Sequence, residues 1–178
     1  MTLLEPKTWD GQVFSGGWVT ASGGDMAIVQ PATGAELGRA GRADADDLAR
    51  AAGIAAAAQP EWAAASFEQR AAVLRRAGAL IEQNAEELQR WMMRESGSIQ
   101  GMVEFATYVA SQECYEAAAL ASRPIGDILP TAQPRLSLLR RVPVGVVGVI
   151  SPFNAPLILS SRSVAPALRS LYLCKTFG

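Results

Sequence analysis

The residue best placed to do chemistry is Asn154, which lies in a short loop between a predicted strand and a predicted helix. The strand is Val144–Ile150, a β-branched run typical of a strand buried on both faces. Pro152 and Pro156 prevent the strand from continuing, and the apolar spacing after Pro156 favours a helix lying on a sheet. A strand, a tight loop and a helix in this order open a doubly wound α/β domain, where ligands bind at the carboxyl ends of strands.

The chemistry that Asn154 could supply is electrostatic. A side-chain amide is a hydrogen-bond donor that stays neutral at every working pH. At the carboxyl end of a strand it can stabilise an oxyanion as it develops, and removal of such a donor typically lowers a rate by about 10²–10³-fold. The alternative is that Asn154 only closes an Asx-type turn before Pro156. The local residues alone favour the turn.

Other kinds of site find little support in the sequence. The chain has no histidine, which excludes Ser-His-Asp and Cys-His nucleophile systems and imidazole metal sites. Its net charge of −1 gives no electrostatic reason to expect nucleic acid. Cys114 and Cys174 have no metal-ligand spacing, so we expect no metal site and a reducing, cytoplasmic environment. Cys114 lies inside a predicted helix, where we expect a buried, unreactive thiol.

The uncharged segment Val142–Ser161 would just span a bilayer by its length. Its three prolines and its polar residues would leave backbone groups unsatisfied in lipid. The first ten residues carry Glu5, Lys7 and Asp10 and have no apolar core of a signal peptide. We therefore expect no membrane partner.

The N-terminal 40 residues predict a small hairpin, with strands at Trp18–Thr20 and Met26–Val29 and a turn at Pro31–Gly34. Residues 44 to about 122 are predicted to be helical. Three residue patterns predict helix starts, at Asp44, Ser66 and Asn84, and two residues are expected to interrupt the helical run, Pro60 and Gly97.

A break is predicted to begin at Gly126 and to be completed by Pro130 and Pro134. Leu136–Val142 then looks like an extended segment that leads into the buried strand. We therefore divide the chain into residues 1–135, a hairpin and helical part, and residues 136–178, the extended segment and the start of a dinucleotide-binding domain.

The segment Pro143–Leu157, PVGVVGVISPFNAPL, resembles the start of the cofactor domain of the NAD(P)-dependent aldehyde dehydrogenases. Three further segments are similar to that family, Pro31–Gly34, Arg94–Gly97 and Arg162–Leu168, and the last is most similar to the benzaldehyde and vanillin dehydrogenase branch. The resemblance implies an α/β fold in which an N-terminal β-hairpin and a helical array lead into the first strand, loop and helix of a Rossmann-type domain.

The resemblance also implies a reaction. A cysteine thiolate attacks a small-molecule aldehyde, benzaldehyde-like in this branch, to give a thiohemiacetal; hydride passes to NAD or NADP, and water activated by a glutamate hydrolyses the thioester. Asn154 matches the family asparagine that donates to the oxyanion. Ile150, Ser151, Pro152 and Phe153 match the loop that lies along the dinucleotide. The family also implies a homo-oligomer.

After Leu168 the chain departs from the family pattern, which continues with Gly-Asn and a later lysine that contacts the cofactor ribose. Lys175 is out of register with that lysine, and Cys174 is not at the position of the nucleophile, so neither role is carried over. The nucleophilic cysteine and the glutamate have no match. We expect a truncated or frame-shifted coding region, and an isolated chain that is inactive and poorly folded beyond its helical part.

A second function remains open from the sequence. The chain could be a non-catalytic helical module that associates with a full-length relative. In the family, the extended segment before the cofactor domain takes part in subunit contacts, so Leu136–Val142 could serve this purpose.

Overall fold

Two short antiparallel hairpins form the N-terminal part of the computed structural model, which describes residues 5–170 and 173–177, with backbone alone for Pro6 and 173–177. The elements are α1 (Pro6–Trp9), β1 (Gln12–Phe14), β2 (Trp18–Thr20), β3 (Asp25–Val29) and β4 (Glu36–Gly41), and β1 pairs with β2 and β3 with β4. The predicted strands and turn are confirmed, but there are two hairpins rather than one. Gly34 completes the turn with a φ of 73°, which glycine adopts without strain.

Four helices and a 3₁₀ turn follow, α2 (Ala45–Ala64), α3 (Phe67–Gln83), α4 (Ala85–Ser96), α5 (Gln100–Ala119) and the turn Leu120–Ser122. The Asp44 carboxylate accepts hydrogen bonds from the backbone N–H groups of Asp46 and Asp47. Ser66 and Gln69 form the predicted capping box, in which each side chain accepts from the backbone N–H of the other residue. Both predicted helix starts are therefore confirmed, with the mechanism expected of them.

The helix start predicted at Asn84 is confirmed in position, since α4 begins at Ala85, but its capping hydrogen bond is not formed, and Pro60 does not interrupt the helical run. Asn84 makes no N-terminal cap hydrogen bond, and its Nδ2 donates to the Leu80 carbonyl at the end of α3, 2.7 Å away. Pro60 lies inside α2 and does not end it, since tertiary packing outweighs the loss of one backbone hydrogen bond. Gly97 does interrupt the run, as predicted, because it ends α4 in the left-handed region at φ 72°.

A third hairpin joins the helices to the last part of the chain. It consists of β5 (Gly126–Leu129) and β6 (Ser137–Arg140), which pair antiparallel. The predicted break at Gly126 is therefore wrong, since the break is confined to the segment between the two strands. Ile128, Leu136 and Leu138 are exposed on this hairpin.

The final elements are β7 (Val146–Ile150), α6 (Pro156–Arg169) and β8 (Leu173–Phe177), and β8 pairs parallel to β7. The predicted burial of β7 on both faces is wrong: Val149 is 8% exposed, but Ile150 is 86% exposed. Within the described residues β8 is the only hydrogen-bonded neighbour of β7, so the strand lies at the edge of a two-stranded sheet.

The core lies where α3, α5 and α6 meet, and small side chains let these helices approach closely. Its members are Ala71, Leu74, Cys114, Ala117, Ala118, Ala121 and Ala165. Two polar contacts hold α6 against the other helices. Trp62 Nε1 donates to the Leu168 carbonyl at 2.9 Å, and Arg162 Nε donates to Glu113 at 2.8 Å. The division at residues 135 and 136 stays a prediction, although the core includes residues from both sides.

None of the helices in the described ranges is both long and apolar enough to cross a membrane.

Candidate functional site

The loop between β7 and α6 begins and ends at residues whose conformation is restricted. Ser151 and Pro152 follow the strand without regular structure, and Phe153 and Asn154 form a turn. Pro156 occupies the first turn of α6, where its fixed φ suits a helix and its missing N–H is not needed. Asn154 therefore lies at the carboxyl end of β7 and just before a helix, as the sequence predicts.

Ser151 is tied to the helix that follows the loop. Ser160, on α6, donates from its hydroxyl to the Ser151 hydroxyl, or accepts from it, across 2.9 Å. Both serines are partly buried. Sequence reasoning missed Ser160, because a serine within a helix carries no signal that it contacts a loop nine residues earlier.

The Asn154 side chain is exposed and makes no hydrogen bond to any residue that the structure describes. The alternative role, an Asx-type turn, is not formed. In an Asx-type turn the side-chain oxygen of Asn154 would accept from the backbone N–H two residues later. That residue is Pro156, which has no backbone N–H. The amide is left available for a group that approaches from outside the loop.

The chain segment on either side of Asn154 carries no formal charge. No charged residue occurs between Val142 and Ser161. Ile150 and Phe153 flank the loop with side chains that are 86% and 59% exposed, and Pro152 is also exposed. The five predicted site residues are consecutive, so they lie together in one loop, where Ile150, Pro152 and Phe153 expose apolar side chains, Asn154 exposes an amide and Ser151 is half-buried.

The remaining candidate residues give no reactive site. Cys114 is buried, and burial, with a smaller contribution from Glu113, raises the pKa of its thiol, so the unreactive thiol form predominates. Cys174 and Lys175 fall in β8, whose side chains lie outside the described part of the chain. Among the side chains that are described, no group of three or more acidic residues or cysteines could hold a metal ion.

Comparison with known proteins supports the relationship expected from the sequence. Residues 18–170 match the model of the aldehyde dehydrogenase family. The chain is 62% identical over 168 residues to the vanillin dehydrogenase of Amycolatopsis sp., covering 94% of this chain and 35% of the relative. It is 45% identical over 165 residues to the NAD(+) benzaldehyde dehydrogenase of Pseudomonas putida, covering 92% of this chain and 34% of that one.

The fold is also that of a solved relative. The NAD-dependent benzaldehyde dehydrogenase of Corynebacterium glutamicum superposes with a TM-score of 0.90 at 32% identity, covering 99% of this chain and 38% of the other. The chain spans about a third of the length of the curated relatives it matches. The predicted branch and fold class are thereby confirmed, and the chain belongs to the aldehyde dehydrogenase family.

Proposed function

We propose that this chain forms the N-terminal part of an NAD(P)-dependent aldehyde dehydrogenase that oxidises an aromatic aldehyde to the carboxylic acid. The observation that carries the proposal is the exposed Asn154 amide, which has no hydrogen-bond partner in the described residues and lies at the carboxyl end of β7. The names of the vanillin and benzaldehyde dehydrogenases to which the chain is similar support an aromatic substrate.

The contribution of Asn154 to the reaction is a stabilising hydrogen bond. As a cysteine sulfur adds to the aldehyde carbon, the carbonyl oxygen gains negative charge, and a donor already in place lowers the energy of that state. The amide has no hydrogen bond to a described residue that must break before it donates to the substrate oxygen. The cysteine and the glutamate that the family uses have no match in this chain, so we propose that the 178-residue chain alone is inactive.

The residues present fit one side of a dinucleotide. NAD or NADP would accept the hydride. Ile150, Pro152 and Phe153 form an exposed apolar surface at the carboxyl end of a parallel strand, where a ring or a ribose can lie. Ser151 offers a hydroxyl held by Ser160. These residues would bind and orient the cofactor, and Asn154 would act on the aldehyde oxygen beside it.

The proposal is tested with a chimera in which residues 1–168 replace the corresponding part of the Amycolatopsis vanillin dehydrogenase. The chimera should reduce NAD in the presence of vanillin or benzaldehyde, while the 178-residue chain should not. A chimera that folds and binds NAD but oxidises neither aldehyde would contradict the proposed function. Turnover of either aldehyde by the 178-residue chain would contradict its proposed inactivity.

A second function is favoured by the hairpin of β5 and β6. Ile128, Leu136 and Leu138 are exposed there, and such apolar side chains favour burial against another protein. The chain would then act as a non-catalytic module that associates with a full-length relative. Co-expression with the Amycolatopsis enzyme should yield a mixed complex under this alternative, and Leu138→Lys should abolish it. Recovery of the two chains as separate species would exclude this function.

A further inference from the structure

A cleft lined by four arginines lies at the C-terminal end of α6, whereas the Asn154 loop precedes the N-terminal end of that helix. The cleft has a volume of about 150 Å³ and lies between α3, the 3₁₀ turn, the segment that leads from it to β5, the segment before β7 and the end of α6. Its charged lining is Arg70, Arg123, Arg141 and Arg169, and its lining includes no acidic residue. Since α6 runs back from the carboxyl end of β7, its last residue lies near the strand's amino end.

Arg70 is the most unusual member of this cluster. It is only 8% exposed, and arginines are almost never so buried unless they are paired. One of its terminal nitrogens donates to the Ala65 carbonyl, but its buried Nε has no hydrogen-bond partner. No carboxylate in the described residues pairs with it. Burial lowers the pKa of its guanidinium, which is consistent with a charge that lacks compensation.

Arg169 repeats this pattern on the other side of the cleft. Its terminal nitrogens donate to the Leu120 carbonyl at 3.4 Å and to the Ser170 hydroxyl at 3.2 Å. Its buried Nε also has no partner. Two arginines from elements that are far apart in sequence, each with a buried and unpartnered Nε, therefore contribute side chains to one small cleft. An unsatisfied buried donor is costly, so native structures seldom keep two together without an acceptor.

The two remaining arginines lie at the exposed rim. Arg141 is loosely paired with Asp127 at 3.6 Å, and both side chains are exposed, so solvent weakens this pair. Arg123 makes no ion pair with the described residues. Its backbone N–H donates to the Leu120 carbonyl, which also accepts from a terminal nitrogen of Arg169. Both rim guanidinium groups can therefore turn toward a ligand in the cleft.

We propose that this cleft binds a small, doubly charged oxyanion of the phosphate type. Guanidinium groups bind phosphate with paired N–H donors in a fixed geometry. The combined positive charge of four guanidinium groups exceeds what a single carboxylate could neutralise. The oxygens of a tetrahedral anion can also accept hydrogen bonds from donors that approach from several sides. The volume is large enough for a phosphate group.

The test is calorimetric titration of the 178-residue chain with sodium phosphate at low ionic strength, with sodium benzoate as the carboxylate probe. The exposed pair is altered in Arg123→Gln/Arg141→Gln, which leaves the buried arginines and the core intact. Loss of two charge-assisted donors should weaken phosphate binding by about tenfold or more. Circular dichroism establishes that each variant keeps the helical content of the parent.

The matched control is Arg75→Gln/Arg76→Gln, which removes the same charge from exposed positions of α3 outside the cleft. It should bind phosphate as the parent does. Equal loss of affinity in the two double variants would show a general charge effect and overturn the proposal. So would the absence of phosphate binding by the parent, or benzoate binding as tight as phosphate binding.

Discussion

The hydroxyl of Ser160 on α6 lies 2.9 Å from the hydroxyl of Ser151, within hydrogen-bonding distance across the base of the loop that carries Asn154. The loop is thereby fixed at its start by this bond and at its end by Pro156. Asn154 lies between the two anchors with its side chain exposed. A hydrogen-bond donor that is already held in place stabilises a developing negative charge more effectively, because it need not move as the reaction proceeds.

Ser160→Ala should destabilise the chain by about 1 kcal/mol, because it removes one hydrogen bond between partly buried hydroxyls. The measurement is the free energy of unfolding in urea. Ser163→Ala is the matched control, since Ser163 is exposed on the same helix and its hydroxyl makes no hydrogen bond to a described residue. Its effect should stay within about 0.5 kcal/mol. Equal effects of the two substitutions would show that the bond between the serines contributes nothing.

Gly78→Ala and Gly53→Ala should change stability in opposite directions, although both glycines lie inside helices. A Cβ at Gly78 would lie 2.8 Å from the ring of Tyr115, which is held by its own hydrogen bond to Glu82. Overpacking of this kind costs about 1–3 kcal/mol. A Cβ at Gly53 meets nothing within 4 Å.

Gly53→Ala should therefore stabilise the chain by about 0.5–1 kcal/mol, through helix propensity alone. Thermal unfolding of both variants measures the difference. A stabilising effect of Gly78→Ala would mean that Tyr115 can move aside and that its hydrogen bond does not hold the ring.

Acid should destabilise the chain through Asp47. Its carboxylate accepts from the Ser22 backbone N–H at 2.7 Å and from the Ser22 hydroxyl at 3.0 Å, and it also pairs with Arg50. These contacts, the Ser22 backbone first, lower the pKa of Asp47 below its ordinary value. A lowered pKa in the folded state gives stability that is present above the ordinary pKa of aspartate and is lost as the pH falls below it.

The free energy of unfolding should therefore decrease as the pH falls below about 4, and Asp47→Asn should reduce this decrease. Urea titrations at a series of pH values measure both slopes. Asp46→Asn is the control, since the Asp46 carboxylate makes no hydrogen bond within the described residues. An unchanged acid slope in Asp47→Asn would contradict this account.

Features set by neighbouring residues could be predicted from the sequence. Asp44 and Ser66 cap their helices because each donor lies two or three residues away. Asn84 begins a similar capping pattern but also lies at the end of the preceding helix, where its amide donates a hydrogen bond to the Leu80 carbonyl. The β5 strand was missed because its pairing with β6 depends on a partner about ten residues later, and Gly126 and Asp127 themselves disfavour a strand.

The loop that carries Asn154 and the arginine cleft also differ in how far the sequence could predict them. Asn154 could be proposed from its place in a short loop between a predicted strand and a predicted helix, and Ile150 to Phe153 from their resemblance to the cofactor loop of the family. The arginine cleft could not, because Arg70, Arg123, Arg141 and Arg169 come from four separate segments that only the packing of α3, α5 and α6 brings together. The exposure of Ile150 also depends on the neighbours of β7 rather than on the residues of the strand.

The most direct test of the account is the turnover of Asn154→Ala and Asn154→Asp in the chimera with the Amycolatopsis vanillin dehydrogenase. Asparagine occurs at one other position, so Asn84→Ala, which removes a hydrogen bond at the end of α3, is the matched control. Loss of the oxyanion donor should lower kcat by about 10²–10³-fold in both Asn154 variants and leave Asn84→Ala near the parent value. A kcat for Asn154→Ala within a few-fold of the parent would contradict the role of this amide.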